Sequence, residues 1–185
     1  MQKSVLFSMF TGLLCIILVT GCLSGGLPGT GPAKETVDPG TNPWMEVPLR
    51  DVSTHETYTI GQLAGKPVLL YTFTTWCSIC TAQQEEIKKL EQAAPGSFVS
   101  VGIDIDPYEN ETIVRNHRSA SNFGGLYSVA PPELTRLLVD EYGVGIITPS
   151  SAPMLLICRN GSVTPLERGV KSAKALDGAI RARCP

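Results

Sequence analysis

The 185-residue sequence has no block of basic residues, no internal repeat and only two histidines, His55 and His117. Without a clustered run of Lys and Arg there is no electrostatic footprint for nucleic acid, so none is expected as a partner. A structural zinc needs four ligands, usually from a second CxxC or a histidine pair. Cys158, Cys184, His55 and His117 are the spare candidates, and none stands at ligand spacing. Neither a metal nor an organic cofactor is therefore expected. Six cysteines, unevenly placed, do not make the dense pattern of a small disulfide-stapled scaffold. The longest apolar run falls short of the roughly 20 residues that span a bilayer.

That run is nevertheless informative. Lys3 precedes an apolar stretch from Val5 to Val19, broken only by Ser8, Thr11 and Gly12, and it ends Leu18-Val19-Thr20-Gly21-Cys22. A weakly positive start with a short apolar core behind it is the form of a secretory signal. Small residues before a cysteine resemble the lipobox of bacterial-type lipoproteins. On that resemblance residues 1–21 are a signal peptide and Cys22 becomes the lipidated N-terminus; an uncleaved anchor is the other reading. Both place the remainder of the chain outside the cytoplasm, held at the cell membrane. Lys3 aside, the chain has 14 basic against 17 acidic residues, a charge of -3.

Residues 22–43 include SGGLPGTGPAKETVDPGTNP, rich in Gly and Pro and poor in apolar side chains. Such a stretch cannot bury enough surface to offset its ordering entropy, so it reads as a flexible tether. Folded structure is expected over 44–185, from Trp44 and Met45 onward.

Within that region, Val68 to Thr72 with Phe73 is a continuously apolar β-forming run, as expected of a strand buried on both faces. Thr57 to Ile60, Phe98 to Ile105, Leu126 to Val129 and Met154 to Cys158 read as further strands. Helices are expected over 81–94, where Ile87, Leu90 and Ala94 recur at helical spacing, over 111–119, from Pro131-Pro132 to Tyr142 with Gly143 as its cap, and over 173–182. Asn160-Gly161 is a hairpin turn leading to Ser162-Val163-Thr164. The order implies an α/β fold, a mixed sheet flanked by helices.

The chemistry concentrates at Trp76-Cys77-Ser78-Ile79-Cys80, at the junction of a buried strand and a helix. There the first cysteine meets free N–H groups and the helix dipole, which favour a thiolate. Cys80 lies one turn deeper, within reach of a disulfide. Cys77 is thus the expected nucleophile and Cys80 the resolving thiol of a redox-active pair. Cys158 reads as a small buried hydrophobe; a Cys158–Cys184 disulfide is open to the chain in an oxidising compartment but is not the expected arrangement. His117, between Arg115 and Arg118, reads as a solvated helix residue. Asp104 and Asp106 read as serving a strand end and turn.

These features resemble the thioredoxin family, specifically its TlpA/ResA-like branch of membrane-anchored extracytoplasmic thiol–disulfide oxidoreductases. Gly65-Lys66-Pro67-Val68-Leu69-Leu70 with Phe73-Thr74-Thr75-Trp76-Cys77 after it resembles that branch's entry to the active site. Ala152-Pro153-Met154-Leu155-Leu156-Ile157 with Asn160-Gly161 after it resembles its cis-proline, strand and hairpin. The resemblance implies the thioredoxin fold, a cis bond at Pro153 with Ala152 offering its backbone to a bound peptide, and Trp76 packed beside the cysteines. Pro149 is a rival for the proline. It also implies protein thiols or disulfides as partners and a membrane electron donor or acceptor. A Sco-like copper-binding chaperone is the alternative, although members of that group carry three residues between their cysteines. The family's two usual acids fall here on Tyr71 and Gln83.

Overall fold

The computed structural model describes residues 42–184. The leader, Cys22 and most of the tether lie outside the described residues. No helix among the described residues is long and apolar enough to cross a membrane.

The central strand is β3 (Val68–Phe73), preceded by a short hairpin of β1 (Leu49–Arg50) and β2 (Thr57–Tyr58). Every residue of β3 is buried, as its unbroken apolar run requires. On one side it pairs in parallel with β4 (Val99–Asp104), and β4 in turn with β5 (Leu126–Val129). On the other it pairs antiparallel with β6 (Met154–Ile157), and β6 with β7 (Val163–Pro165). The sheet order is β5-β4-β3-β6-β7. The run 57–60, expected as a short strand, forms the two-residue β2, paired with β1 in a separate two-stranded sheet.

Among the described residues four α-helices accompany the strands: α1 (Ser78–Ala93), α2 (Glu111–Ala120), α3 (Pro132–Tyr142) and, after β7, α4 (Ala173–Arg183). Because side chains alternate along a strand, Leu69, Tyr71 and Phe73 enter one apolar layer with Ile87 and Leu90 of α1, Val114 of α2 and Leu176 of α4. Val68 and Leu70 enter the opposite layer with Leu134 and Leu138 of α3 and with Trp44 and Met45. Burial of each large aliphatic side chain contributes about 1.5–3 kcal/mol. This clamps β3 from both faces and fixes its C-terminal end, where the chain runs on to the cysteines.

Tyr71 occupies the position at which the thioredoxin resemblance expects an acid. Its ring lies across the β4 residue in register with it, Gly102, where an added Cβ would come within 2.8 Å of the phenol oxygen. The glycine makes room for the tyrosine, which meets Tyr127 edge-on at a centroid distance of 6.2 Å.

Candidate functional site

The chain leaves β3 at Phe73, turns through Thr74-Thr75-Trp76 and enters α1. Cys77 is the N-cap, and its Sγ accepts from the Cys80 backbone N–H at 3.3 Å. The turn closes through Cys77 N–H donating to the Thr74 carbonyl at 3.2 Å, and the first helical turn through Thr81 N–H donating to the Cys77 carbonyl at 3.0 Å. Both thiols are free. Cys77 is 6% exposed and Cys80 3%, so the contrast in accessibility expected from the helix position is small. The contrast in environment is larger. Burial, with the Cys77 sulfur alongside, pushes the Cys80 thiol up to about 12. Its S–H donates to the Pro149 carbonyl at 3.4 Å.

That contact corrects the proline assignment. Every peptide bond among the described residues is trans, including the one at Pro153. Thr148 precedes a 3-10 turn, Pro149–Ser151, which packs against α1 and ends at Ala152 in the left-handed region, φ 44°. Both backbone polar groups of Ala152 are used within the chain. Its N–H donates to the Pro149 carbonyl at 2.8 Å, and its carbonyl accepts from Lys171 Nζ at 2.9 Å. The Ala152 N–H is thus spent within the chain, and Pro153 lines a cavity of about 350 Å³ beside Tyr142, Ile146 and Leu166. The residues just before Pro153 form the turn that brings Pro149 to Cys80.

No local pattern in the sequence marks Lys171 as part of the site. Its ammonium donates to the carbonyls of Ala152, Glu167 and Gly169 at 2.9, 3.0 and 2.6 Å. Gln83 of α1, at the other position where the family places an acid, accepts from Lys171 N–H at 2.7 Å and donates to its carbonyl at 3.1 Å. The redox helix is therefore tied to the Pro149 loop through one amide and one lysine.

Three acids frame the opposite edge. Asp106 Oδ2 accepts from the Trp76 indole N–H at 2.7 Å, which holds that carboxyl below its usual range. Glu109 accepts from Thr75 N–H at 2.9 Å and from its hydroxyl. Asp104, which has no exposed surface, has its carboxyl against that of Glu109 and leaves Oδ2 without a partner. Burial, with Glu109 adding to it, raises Asp104 to about 8. The expected turn roles are present too, since Asp104 Oδ1 accepts from Asp106 N–H and Asp106 Oδ1 from Tyr108 N–H. The available signal is three acids within six residues at the C-terminal end of the strand beside β3, where open α/β sheets place their sites.

Trp76 itself is 70% exposed, its ring fixed by Asp106. His117 is half-buried, not solvated: its Nε2 lies 2.8 Å from Gln84 Oε1 and its ring stacks on Phe73. The second correction concerns the remaining cysteines. Cys158, just after β6, and Cys184, at the C-cap of α4, form a disulfide, with Cα atoms 5.0 Å apart. Strand end and helix end converge closely enough for bonding, which the 26-residue separation in sequence conceals.

A free dithiol capping a helix after the central strand of a mixed five-stranded sheet defines a thioredoxin-fold thiol–disulfide oxidoreductase. The Redoxin family model matches residues 41–180, and the chain belongs to that family. Among solved structures, the chain is similar to a thiol:disulfide interchange protein of the thioredoxin family from Chlorobium tepidum, with 23% identity over 74% of this chain and 91% of that one and a TM-score of 0.63. It is similar also to a secreted Mycobacterium tuberculosis disulfide oxidoreductase homologous to E. coli DsbE, with 18% identity, coverage of 75% and 97%, and a TM-score of 0.57. A third is the exposed lipoprotein thioredoxin Etrx1 of Streptococcus pneumoniae, with 20% identity, coverage of 74% and 98%, and a TM-score of 0.58. No curated protein matches the sequence.

Proposed function

We propose that this chain exchanges disulfides with secreted or membrane proteins on the extracytoplasmic side of the cell membrane, Cys77 attacking and Cys80 resolving. The observation that carries the reading is the inequality of the two thiols. Cys77 caps the helix at the exposed Trp76, whereas Cys80 is held as a thiol by burial and the Pro149 carbonyl. In the reducing direction, the Cys77 thiolate attacks one sulfur of a partner disulfide, that S–S bond breaks, and the departing thiolate takes a proton. Cys80 gives up its proton and attacks Cys77 in the mixed disulfide. The second partner thiol is released, and Cys77–Cys80 is left oxidised by two electrons. The oxidising direction is the reverse. A membrane electron donor or acceptor would restore the starting state.

The location rests on two supports. A stable second disulfide suits an oxidising compartment, and Cys158–Cys184 is such a bond. The Leu18-Val19-Thr20-Gly21-Cys22 segment supplies a lipid attachment point, in keeping with relatives described as secreted or as an exposed lipoprotein. His117 is engaged by Gln84 and Phe73, which lends the copper-chaperone alternative no support. Equilibration against glutathione buffers, then alkylation and mass mapping, tests the reading. One two-electron transition confined to Cys77 and Cys80, together with turnover of a protein disulfide, is the expected result. A pair that never exchanges with glutathione or a protein disulfide would refute it.

A further inference from the structure

The acids beside the redox pair differ from five other acids of the domain, each of which is paired with a Lys or Arg. Glu111 pairs with Arg50, Glu85 with Lys88, Glu86 with Lys89, Asp140 with Arg136 and Asp177 with Arg181. Asp104, Asp106 and Glu109 make no salt bridge among the described residues. His117 faces Glu109, and burial keeps it toward its neutral form. Uncompensated negative charge thus sits one and two residues from the nucleophile, through Asp106 on Trp76 and Glu109 on Thr75.

The carboxylates border a cleft of about 470 Å³ that is otherwise mainly apolar, lined by Ile105, Pro107, Val129 and Pro132 together with Asp106 and Glu109. Each carboxylate is anchored by donors from the active-site loop, so it holds a fixed direction and keeps lone pairs unspent. No group of three His, Cys, Asp or Glu among the described residues converges as a metal site, which argues against a bare cation as occupant. An apolar trough ending in fixed carboxylates matches a side chain with an aliphatic stem and a cationic tip. The exposed Trp76 ring adds a face on which such a cation can rest.

We propose that this cleft is a specificity subsite of the redox site, taking a Lys or Arg side chain that flanks the reacting cysteine of a polypeptide substrate. The proposal rests on the disulfide-exchange reading above and names its substrate class. Electrostatic complementarity at a site of this kind acts chiefly on encounter and register. The effect therefore belongs in the second-order rate constant, and salt weakens it.

The test uses the reduced protein and two peptides of equal length, each a cysteine peptide in disulfide-linked form, with Lys or Glu two residues from the cysteine. A flanking lysine also improves the leaving thiolate, so each rate is divided by the same peptide's rate with dithiothreitol. After that correction the Lys peptide is expected to react about tenfold faster than the Glu peptide, falling to within about twofold near 0.5 M salt. Asp106→Asn and Glu109→Gln keep hydrogen-bond acceptors while removing charge, and each is expected to lower the preference severalfold. Asp140→Asn, outside the cleft, is expected to leave it intact. A corrected ratio near one in the unaltered protein would overturn the subsite even if neither variant folded, as would a preference that survives both substitutions. The neutral hydroxyethyl disulfide separates the two readings. If it reacts while the peptides are not distinguished, the subsite alone fails; if it and both peptides are inert, the oxidoreductase reading fails and the subsite with it.

Discussion

The described residues hold two cysteine pairs, and they are opposites in construction. Cys77 and Cys80 are three residues apart, free, and set where a buried strand delivers the chain to a helix N-terminus. Cys158 and Cys184 are 26 residues apart, bonded, and join the end of β6 to the end of α4. The first pair lies beside an exposed tryptophan, a carbonyl acceptor and a group of acids; the second ties two ends of the fold. The same chemical group serves electron exchange in one place and chain restraint in the other. Surroundings, more than the bond, decide which.

The comparison breaks most visibly at the nucleophile. Cys77→Ser should lower disulfide turnover by at least roughly a thousandfold, since no other thiol among the described residues occupies a helix N-cap beside a resolving partner. Circular dichroism should show the fold retained. Comparable turnover in this variant would mean that the active sulfur is elsewhere.

Opening the other pair should do the converse. Closing a loop of this length restrains the unfolded chain by about 3–4 kcal/mol. Cys158→Ser should therefore lower the melting temperature by roughly 10 °C while initial exchange rates at 25 °C stay close to those of the parent. A melting temperature unchanged by the substitution would show that the bond restrains little.

The acids beside the first pair give the smallest of the three effects. Asp104 has its folded pKa raised to about 8 by burial and by Glu109, against an ordinary value of 3.8. The folded state thus binds a proton that the unfolded chain releases between about pH 4 and 8. The stabilisation is complete below the lower value and declines as pH rises through that window. The groups facing it are Glu109 and Asp106, with His117 facing Glu109 from α2. Asp104→Asn should flatten the decline and stabilise the domain at pH 8 by on the order of 2 kcal/mol, read from urea unfolding at several pH values. An unaltered slope would assign it to another group.

Much of the redox site is legible in the sequence because its signals are local. The run from Val68 to Phe73 can only be a buried strand, the CxxC comes directly after it, and Ile87 and Leu90 recur at helical spacing. The hidden parts depend on contacts between residues far apart in the chain. Pro149 reaches Cys80 across 69 residues and Lys171 meets Gln83 across 88, and no periodicity encodes either. The sequence favours Pro153 because a strand begins immediately after it, and the strand is there. The sequence does not disclose that a 3-10 turn and a left-handed Ala152 carry the approach to Pro149 instead. The Cys158–Cys184 bond is concealed in the same way, since its closure depends on where β6 and α4 end in space.

The most direct test of the account is to trap the mixed disulfide. Cys80→Ser leaves Cys77 at the helix N-cap with no resolving thiol, so this variant should accumulate a covalent adduct with a protein or peptide disulfide, mapped by mass spectrometry to Cys77. Cys77→Ser should accumulate little, because burial, the largest cause of the raised Cys80 thiol, does not depend on the Cys77 sulfur, and near-neutral pH leaves that thiol protonated. If Cys77→Ser is the variant that captures partners, and Cys80 the sulfur that carries them, the assignment of roles is wrong.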